Sequence, residues 1–191
     1  MQRKILMLLL AMFLMPAVSA PVSEGAAKGY ARTVENYAIP EVTLVNQDGK
    51  KTRLQDLLRT DKPVLVDFVY TTCTTICPVL SANFSNFQRT LGPEAAAGVR
   101  LISISIDPEY DSPKAMKSYL TRYAARPGWE FLTGSRQDIE KVLKAMNAYT
   151  SNKMDHVPVI LMRAGTGGQW VRLSGLIGTT ELVKEYEQVK K

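Results

Sequence analysis

Two stretches rich in apolar and β-branched residues constrain the fold of this chain more than any other feature. They are residues 63–70, PVLVDFVY, and residues 99–106, VRLISISI. Short apolar runs rich in β-branched residues are typical of strands that are covered on both faces of a sheet. Between them, the segment from Cys77 to about Leu91 has apolar residues at helical spacing. The pattern predicts a central strand, a helix and a second buried strand.

The rest of the sequence continues this alternation. A turn at residues 47–49, QDG, predicts a hairpin near the start of the domain. Helix starts are predicted at Ser112-Pro113 and Ser135, because serine caps the first turn and proline fits its first position. Further strands are predicted at 129–132, 157–162 and 169–173, and a last helix from Thr179 or Thr180. We therefore expect an α/β domain with a central mixed sheet flanked by helices and an N-terminal hairpin extension.

The first twenty residues have the pattern of a secretory signal. Arg3 and Lys4 precede an apolar run from Ile5 to Met15, and small residues follow it. The run is shorter than the roughly 20 residues of a spanning helix, but Pro21 would hinder cleavage, so an uncleaved anchor is the alternative. We predict a signal peptide or anchor at 1–20, a flexible tether at 21–36 and one folded domain at 37–191, outside the cytoplasm.

Charge argues against a nucleic-acid-binding protein. The chain has a net charge of +6, and loss of the two signal cations would leave 22 cations against 18 anions, or +4. The cations are scattered, whereas a nucleic-acid footprint needs them clustered on one face. Four of the eight methionines lie in residues 1–20, so the domain has no methionine-rich tract.

The two cysteines, Cys73 and Cys77, fall where the first buried strand gives way to the helix. Helix starts favour thiolates through their oriented amides. A structural disulfide is one interpretation, since the chain is exported and its cysteine count is even. However, Cβ atoms four residues apart on a helix lie about 5–6 Å apart, and a disulfide prefers about 3.8 Å. The spacing favours metal binding or reversible redox chemistry.

His156 is the only histidine of the chain and stands just before a predicted strand. In an α/β order, the loop before that strand can lie over the helix that starts at the cysteines. Two thiolates and one imidazole suit Cu(I) and, with a further oxygen ligand, Cu(II). Structural zinc would need a fourth ligand. Asp155 is a candidate acceptor for the imidazole N–H, and the alternative is a solvated loop carboxylate.

Several segments together resemble the Sco/SenC family. They are Phe68-Val-Tyr-Thr-Thr-Cys73, Cys77-Pro78, Ser103-Ile-Ser-Ile-Asp107-Pro108-Glu109, Asp111-Ser-Pro113 and Asp155-His156. The resemblance implies a thioredoxin-like fold on the outer face of the bacterial inner membrane, in the periplasm. It also implies one copper ion held by Cys73, Cys77 and His156. Asp107 matches a characteristic family aspartate, with a role either in holding the loop over the site or in capping the next turn.

The resemblance implies a copper chaperone that serves the binuclear copper site of cytochrome c oxidase. The partner would be the copper-receiving subunit of the oxidase or another periplasmic copper carrier. The alternative is a periplasmic thiol-disulfide oxidoreductase that uses Cys73 and Cys77, works with a thiol-disulfide reductase and does not need copper. Val157-Pro158 is similar to the cis-proline loop of thioredoxins and favours that alternative. Residues 1–20 contain no cysteine for lipid attachment, so both a soluble and an N-terminally anchored protein fit.

Overall fold

A computed structural model describes residues 29–190, which form one α/β unit. Its strands are β1 (Tyr30–Glu35), β2 (Thr43–Asn46), β3 (Lys51–Arg53), β4 (Val64–Val69), β5 (Arg100–Ser105), β6 (Trp129–Thr133), β7 (Val159–Arg163) and β8 (Trp170–Gly175). Its helices are α1 (Leu54–Leu58), α2 (Cys77–Ala97), α3 (Pro113–Arg122), α4 (Arg136–Ala145) and α5 (Thr179–Val189). The predicted α/β class is confirmed.

The strands form one mixed sheet in the order β1-β8-β7-β4-β5-β6-β2-β3. Strand β4 lies near its centre, parallel to β5 and antiparallel to β7, and all six of its residues are buried. The predicted central strand and the β2–β3 hairpin are therefore confirmed. Strand β4 ends just before the cysteines and β7 begins just after His156, so neighbouring strands bring these two segments to one end of the sheet.

The helix starts follow the local sequence. Ser112 accepts a hydrogen bond from the Ala115 N–H and Ser135 accepts one from the Asp138 N–H, as expected for N-cap residues. Helix α2 is broken at Gly92, whose φ of 77° is favourable only for glycine. The predicted helix end at this point is therefore a kink, after which one more helical turn follows.

The predicted tether at 21–36 is wrong at its carboxyl end. Residues 30–35 form β1, which pairs antiparallel with all of β8. The strand is polar and largely exposed, so it has no hydrophobic period by which a sequence could reveal it. Its position is held by backbone pairing and by the buried carboxylate of Glu185, which accepts hydrogen bonds from Tyr30 and Arg32.

The predicted signal at 1–20 and residues 21–28 of the predicted tether lie outside the described residues. Within residues 29–190, no helix is long and apolar enough to cross a membrane.

Candidate metal centre

Cys73 and Cys77 lie on the short connection between β4 and α2. Cys77 is the first residue of α2, and its N–H donates to the Cys73 Sγ at 3.4 Å. No side-chain oxygen caps this helix, so the Cys73 sulfur occupies the place of a capping acceptor. Both cysteines are free thiols and both are buried. The structure therefore does not contain the structural disulfide between Cys73 and Cys77 that was the alternative interpretation.

The two thiols have opposite acidities. Burial disfavours the Cys73 thiolate, but hydrogen bonds from Cys77 and Thr75 outweigh it and lower the pKa of Cys73 to about 7. Burial raises the pKa of Cys77, and the hydrogen bond with Cys73 raises it further. Thus the helix start favours one thiolate, Cys73, as the sequence predicts, and keeps Cys77 protonated in the metal-free protein.

His156 faces Cys77 across the site. Its Nε2 lies 3.5 Å from the Cys77 Sγ, and its Nδ1 lies 2.9 Å from the carbonyl oxygen of Lys153. A carbonyl only accepts hydrogen bonds, so Nδ1 carries the proton and the Nε2 lone pair points towards the sulfur. The ring of Tyr70 packs edge-on against the imidazole, with 5.6 Å between ring centroids. The imidazole is therefore fixed in both tautomer and orientation.

The predicted role of Asp155 is wrong. The acceptor for the imidazole N–H is the Lys153 carbonyl, because a 3₁₀ turn at Lys153–Asp155 brings that carbonyl back to the ring. The Asp155 side chain is exposed and accepts a hydrogen bond from the Asn152 amide at 3.1 Å. The alternative, a solvated loop carboxylate, is the one the structure shows.

Asp107 contacts the loop that carries His156. Its buried carboxylate pairs with the Lys153 ammonium at 2.5 Å. The same ammonium lies 5.4 Å from the ring centroid of Tyr70 and 4.9 Å from that of Tyr110. Lys153 thus joins Asp107, just after β5, to the turn that carries His156. Of the two predicted roles for Asp107, this contact of its carboxylate supports the one in holding the loop over the site.

Three residues around the site were not identified from the sequence as functional. Lys153 orients His156, and Tyr70 packs on it. Asp111 is buried and accepts hydrogen bonds from the Thr71 N–H and hydroxyl at 3.0 and 2.6 Å, which fixes the chain just before Cys73. Tyr70 and Asp111 both lie in segments that resemble the family, and that was the available signal for them. For Lys153 there was none.

The peptide bond before Pro158 is trans, since residues 29–190 contain no cis peptide bond. The predicted similarity to a cis-proline loop is therefore wrong at this point. Instead, the Pro158 carbonyl accepts a hydrogen bond from the Gly175 N–H at 2.9 Å, and the chain continues directly into β7.

The donor set of Cys73, Cys77 and His156 fits copper by its chemistry. Two thiols and a neutral imidazole are soft to borderline ligands of the kind that select Cu(I) and also bind Cu(II). In the described residues, no three Cys, His, Asp or Glu side chains form a ready-made metal cluster. The three donors are instead linked pairwise, Cys73 to Cys77 and Cys77 to His156.

We expect the Lys153–Asp107 contact to control metal affinity. Lys153→Leu keeps an aliphatic side chain but removes the ammonium, so the histidine turn loses its anchor. Loss of a group that orients a metal ligand typically costs 10–100-fold in affinity, and we expect about a tenfold loss for Cu(I) in a competition titration. Lys141→Leu, which removes an exposed ion pair with Asp138 on α4, is the matched control. Equal affinities for the two variants would contradict this role.

Comparison with known proteins identifies relatives by sequence. A profile of the family described as SCO1/SenC matches residues 31–184. A protein described as SCO1 protein homolog, from Bacillus subtilis (strain 168), is 40% identical over 116 residues. This alignment covers 59% of the chain and 58% of the relative. The chain therefore spans little more than half the length of that relative.

Solved structures share the fold. Bradyrhizobium japonicum ScoI with copper bound is 30% identical, with a TM-score of 0.65 and coverage of 80% of this chain and 99% of that one. BsSco, described as a member of the Sco family of cytochrome c oxidase assembly proteins with a disulfide switch, is 30% identical, with a TM-score of 0.67 and coverage of 82% and 95%. The thioredoxin-like fold that the sequence resemblance implies is confirmed.

Proposed function

The chain belongs to the SCO1/SenC family, and we propose that it is a copper-binding chaperone of cytochrome c oxidase assembly. It holds one copper ion through Cys73, Cys77 and His156. It delivers that ion to the binuclear copper site of the oxidase, or keeps the cysteines of that site reduced. The observation that carries the proposal is the 3.5 Å contact of His156 Nε2 with the Cys77 sulfur, with the imidazole proton held on the opposite nitrogen.

The surroundings of the three donors suit a cargo ion better than a permanent cofactor. Cys73 is acidic enough to offer a thiolate near neutral pH, while Cys77 gives up its proton only in exchange for a metal. Small rotations of these side chains would then bring the two sulfurs and the imidazole nitrogen around a single ion. Because Cys77 loses a proton when it binds the ion and takes it back when the ion leaves, proton uptake by this buried thiol favours release. Such a site accepts Cu(I) and, with a fourth ligand, Cu(II).

The relatives support the choice of metal and the setting. The Bradyrhizobium structure contains copper, and BsSco is described as a member of a family of oxidase assembly proteins. We place this chain accordingly in the periplasm, at the outer face of the bacterial inner membrane, either soluble or anchored through residues 1–20. Its partner is the copper-receiving subunit of the oxidase or another periplasmic copper carrier.

The thiol-disulfide alternative explains less of the site. An oxidoreductase needs only Cys73 and Cys77, and it would use an imidazole whose free nitrogen faces the buried sulfur as a base for that thiol and not as a ligand. It also gives no reason for the anchoring of the histidine turn through Lys153 and Asp107. For these reasons we favour a copper site over a thiol-disulfide pair as the role of these residues.

A transfer assay tests the proposed function. The chain is loaded with one Cu(I) and mixed with the reduced, metal-free copper domain of oxidase subunit II, and metal is quantified in each protein after separation. We expect transfer by the wild type and by Lys117→Ala, an exposed control, and markedly less by His156→Ala, which binds Cu(I) more weakly and is loaded less completely. In a second arm, the metal-free, reduced chain is mixed with the subunit II domain, and the cysteines of that domain are oxidised beforehand. Disulfide reduction without any copper transfer in the first arm would favour the oxidoreductase instead.

A further inference from the structure

Met154 is placed unusually for a methionine. Within the described residues, Met116, Met146 and Met162 are fully buried in the core, whereas Met154 is 64% exposed. An exposed thioether gains nothing from burial, so core packing does not explain this side chain. It stands two residues before His156, on the same 3₁₀ turn.

The sulfur of Met154 contacts a residue that packs against His156. The Tyr70 hydroxyl donates a hydrogen bond to the Met154 Sδ at 3.5 Å. The ring of the same tyrosine packs edge-on against His156. One buried tyrosine therefore contacts both the thioether and the candidate imidazole.

The segment that carries Met154 is fixed, although its side chain is not packed. The Met154 N–H donates to the Asn152 Oδ1 at 3.1 Å, and the neighbouring Lys153 is paired with Asp107. Methionine has an unbranched side chain with three rotatable bonds. From an anchored backbone it can swing its sulfur from the tyrosine hydroxyl to a metal without any movement of the turn.

A copper ion held by the three candidate ligands can bind a fourth ligand. Thioethers are soft ligands that bind Cu(I), and a weak, long axial methionine recurs where histidine and cysteine hold copper. We propose that Met154 supplies a fourth, weak thioether ligand to the copper ion held by Cys73, Cys77 and His156. The inference rests on the proposed function and adds a residue to it. A weak exposed ligand also gives the ion its first contact on entry and its last on exit.

Copper K-edge X-ray absorption tests this directly. The full chain is labelled with selenomethionine and loaded with one Cu(I), and the copper spectrum is examined for a selenium neighbour. Because the spectrum is that of copper, methionines remote from the ion do not contribute. We expect a copper–selenium shell in the wild type and in Val157→Ala, whose exposed apolar side chain also adjoins His156. We expect no such shell in Met154→Leu, together with a loss of Cu(I) affinity of about tenfold.

The outcomes separate this inference from the function on which it rests. Copper bound with sulfur and nitrogen neighbours but no selenium in the wild type would overturn the role of Met154 and leave the proposed function standing. A selenium shell that persists in Met154→Leu would also overturn it. If neither protein holds copper, the proposed function itself fails. Met154→Leu nearly conserves volume at an exposed position, so its folding is not in question.

Discussion

Cys73→Ser and Cys77→Ser are each expected to lose at least about a hundredfold in Cu(I) affinity. Removing a residue that merely orients a metal ligand costs 10–100-fold, and removing the ligand itself cannot cost less. Serine keeps the size of the side chain but offers a hard oxygen that is not deprotonated near neutral pH, whereas Cu(I) selects soft sulfur. The measurement is a competition titration against a chromophoric chelator under reducing conditions.

Thr74→Ser is the matched control for the cysteine variants. Thr74 lies between the cysteines and is exposed, so its replacement leaves both sulfurs in place. Thermal unfolding of the metal-free variants separates loss of a ligand from loss of the fold. Folded serine variants that bind copper as tightly as the wild type would contradict the assignment of both thiols.

The second large effect concerns Asp67, a carboxyl group at the centre of the sheet. It is fully buried in β4, and neither carboxylate oxygen has a hydrogen-bond partner of good geometry. Burial raises its pKa from 3.8 to about 7, against a weak opposing interaction with the Ser103 hydroxyl. The Cys77 thiol and the Tyr119 hydroxyl are close enough to feel its charge.

The raised pKa makes stability depend on pH. Below pH 3.8 the carboxyl is protonated in both the folded and the unfolded state, and its burial carries no charge penalty. As the pH rises from 3.8 to about 7, the unfolded state loses this proton first, so the folded state becomes less stable. Above pH 7 both forms are ionised and the whole penalty is present.

Asp67→Asn is therefore expected to gain stability relative to the wild type as the pH rises. Between pH 5 and pH 8, the difference in free energy of unfolding should shift in its favour by about 3 kcal/mol. Urea denaturation at the two pH values measures this difference, in which groups common to both proteins cancel. Asp56→Asn, on the exposed side of α1, should show no such shift. A difference that does not change with pH would mean that Asp67 is already ionised at pH 5.

The sequence predicted those parts of the fold that local patterns determine. Strand β4 is apolar except for Asp67, β5 carries three large aliphatic residues, and Ser112 and Ser135 cap helices by contacts three residues away. Strand β1 was missed because it is polar and is stabilised by its pairing with β8, some 140 residues along the chain. The residues of a polar edge strand carry no hydrophobic signal, and only the partner reveals them.

The residues of the candidate site also divide into those that local sequence patterns predicted and those that they did not. Cys73 and Cys77 follow from their motif, and His156 from its position before a strand that neighbours β4. What orients the histidine did not follow, because the acceptor is a main-chain carbonyl and the anchor is an ion pair between residues 46 apart. Asp155 was chosen as the acceptor because it is adjacent, but the 3₁₀ turn directs its side chain away. Asp67 lay within an apolar run and was given no role.

Whether His156 completes a copper site with the two cysteines is tested by a Cu(I) competition titration of the reduced wild-type chain alongside His156→Ala. The wild type should hold one ion per chain, and His156→Ala should lose at least about tenfold in affinity, since it keeps both sulfurs but lacks the third donor. Weak and equal binding by the two proteins would contradict a copper site built from Cys73, Cys77 and His156.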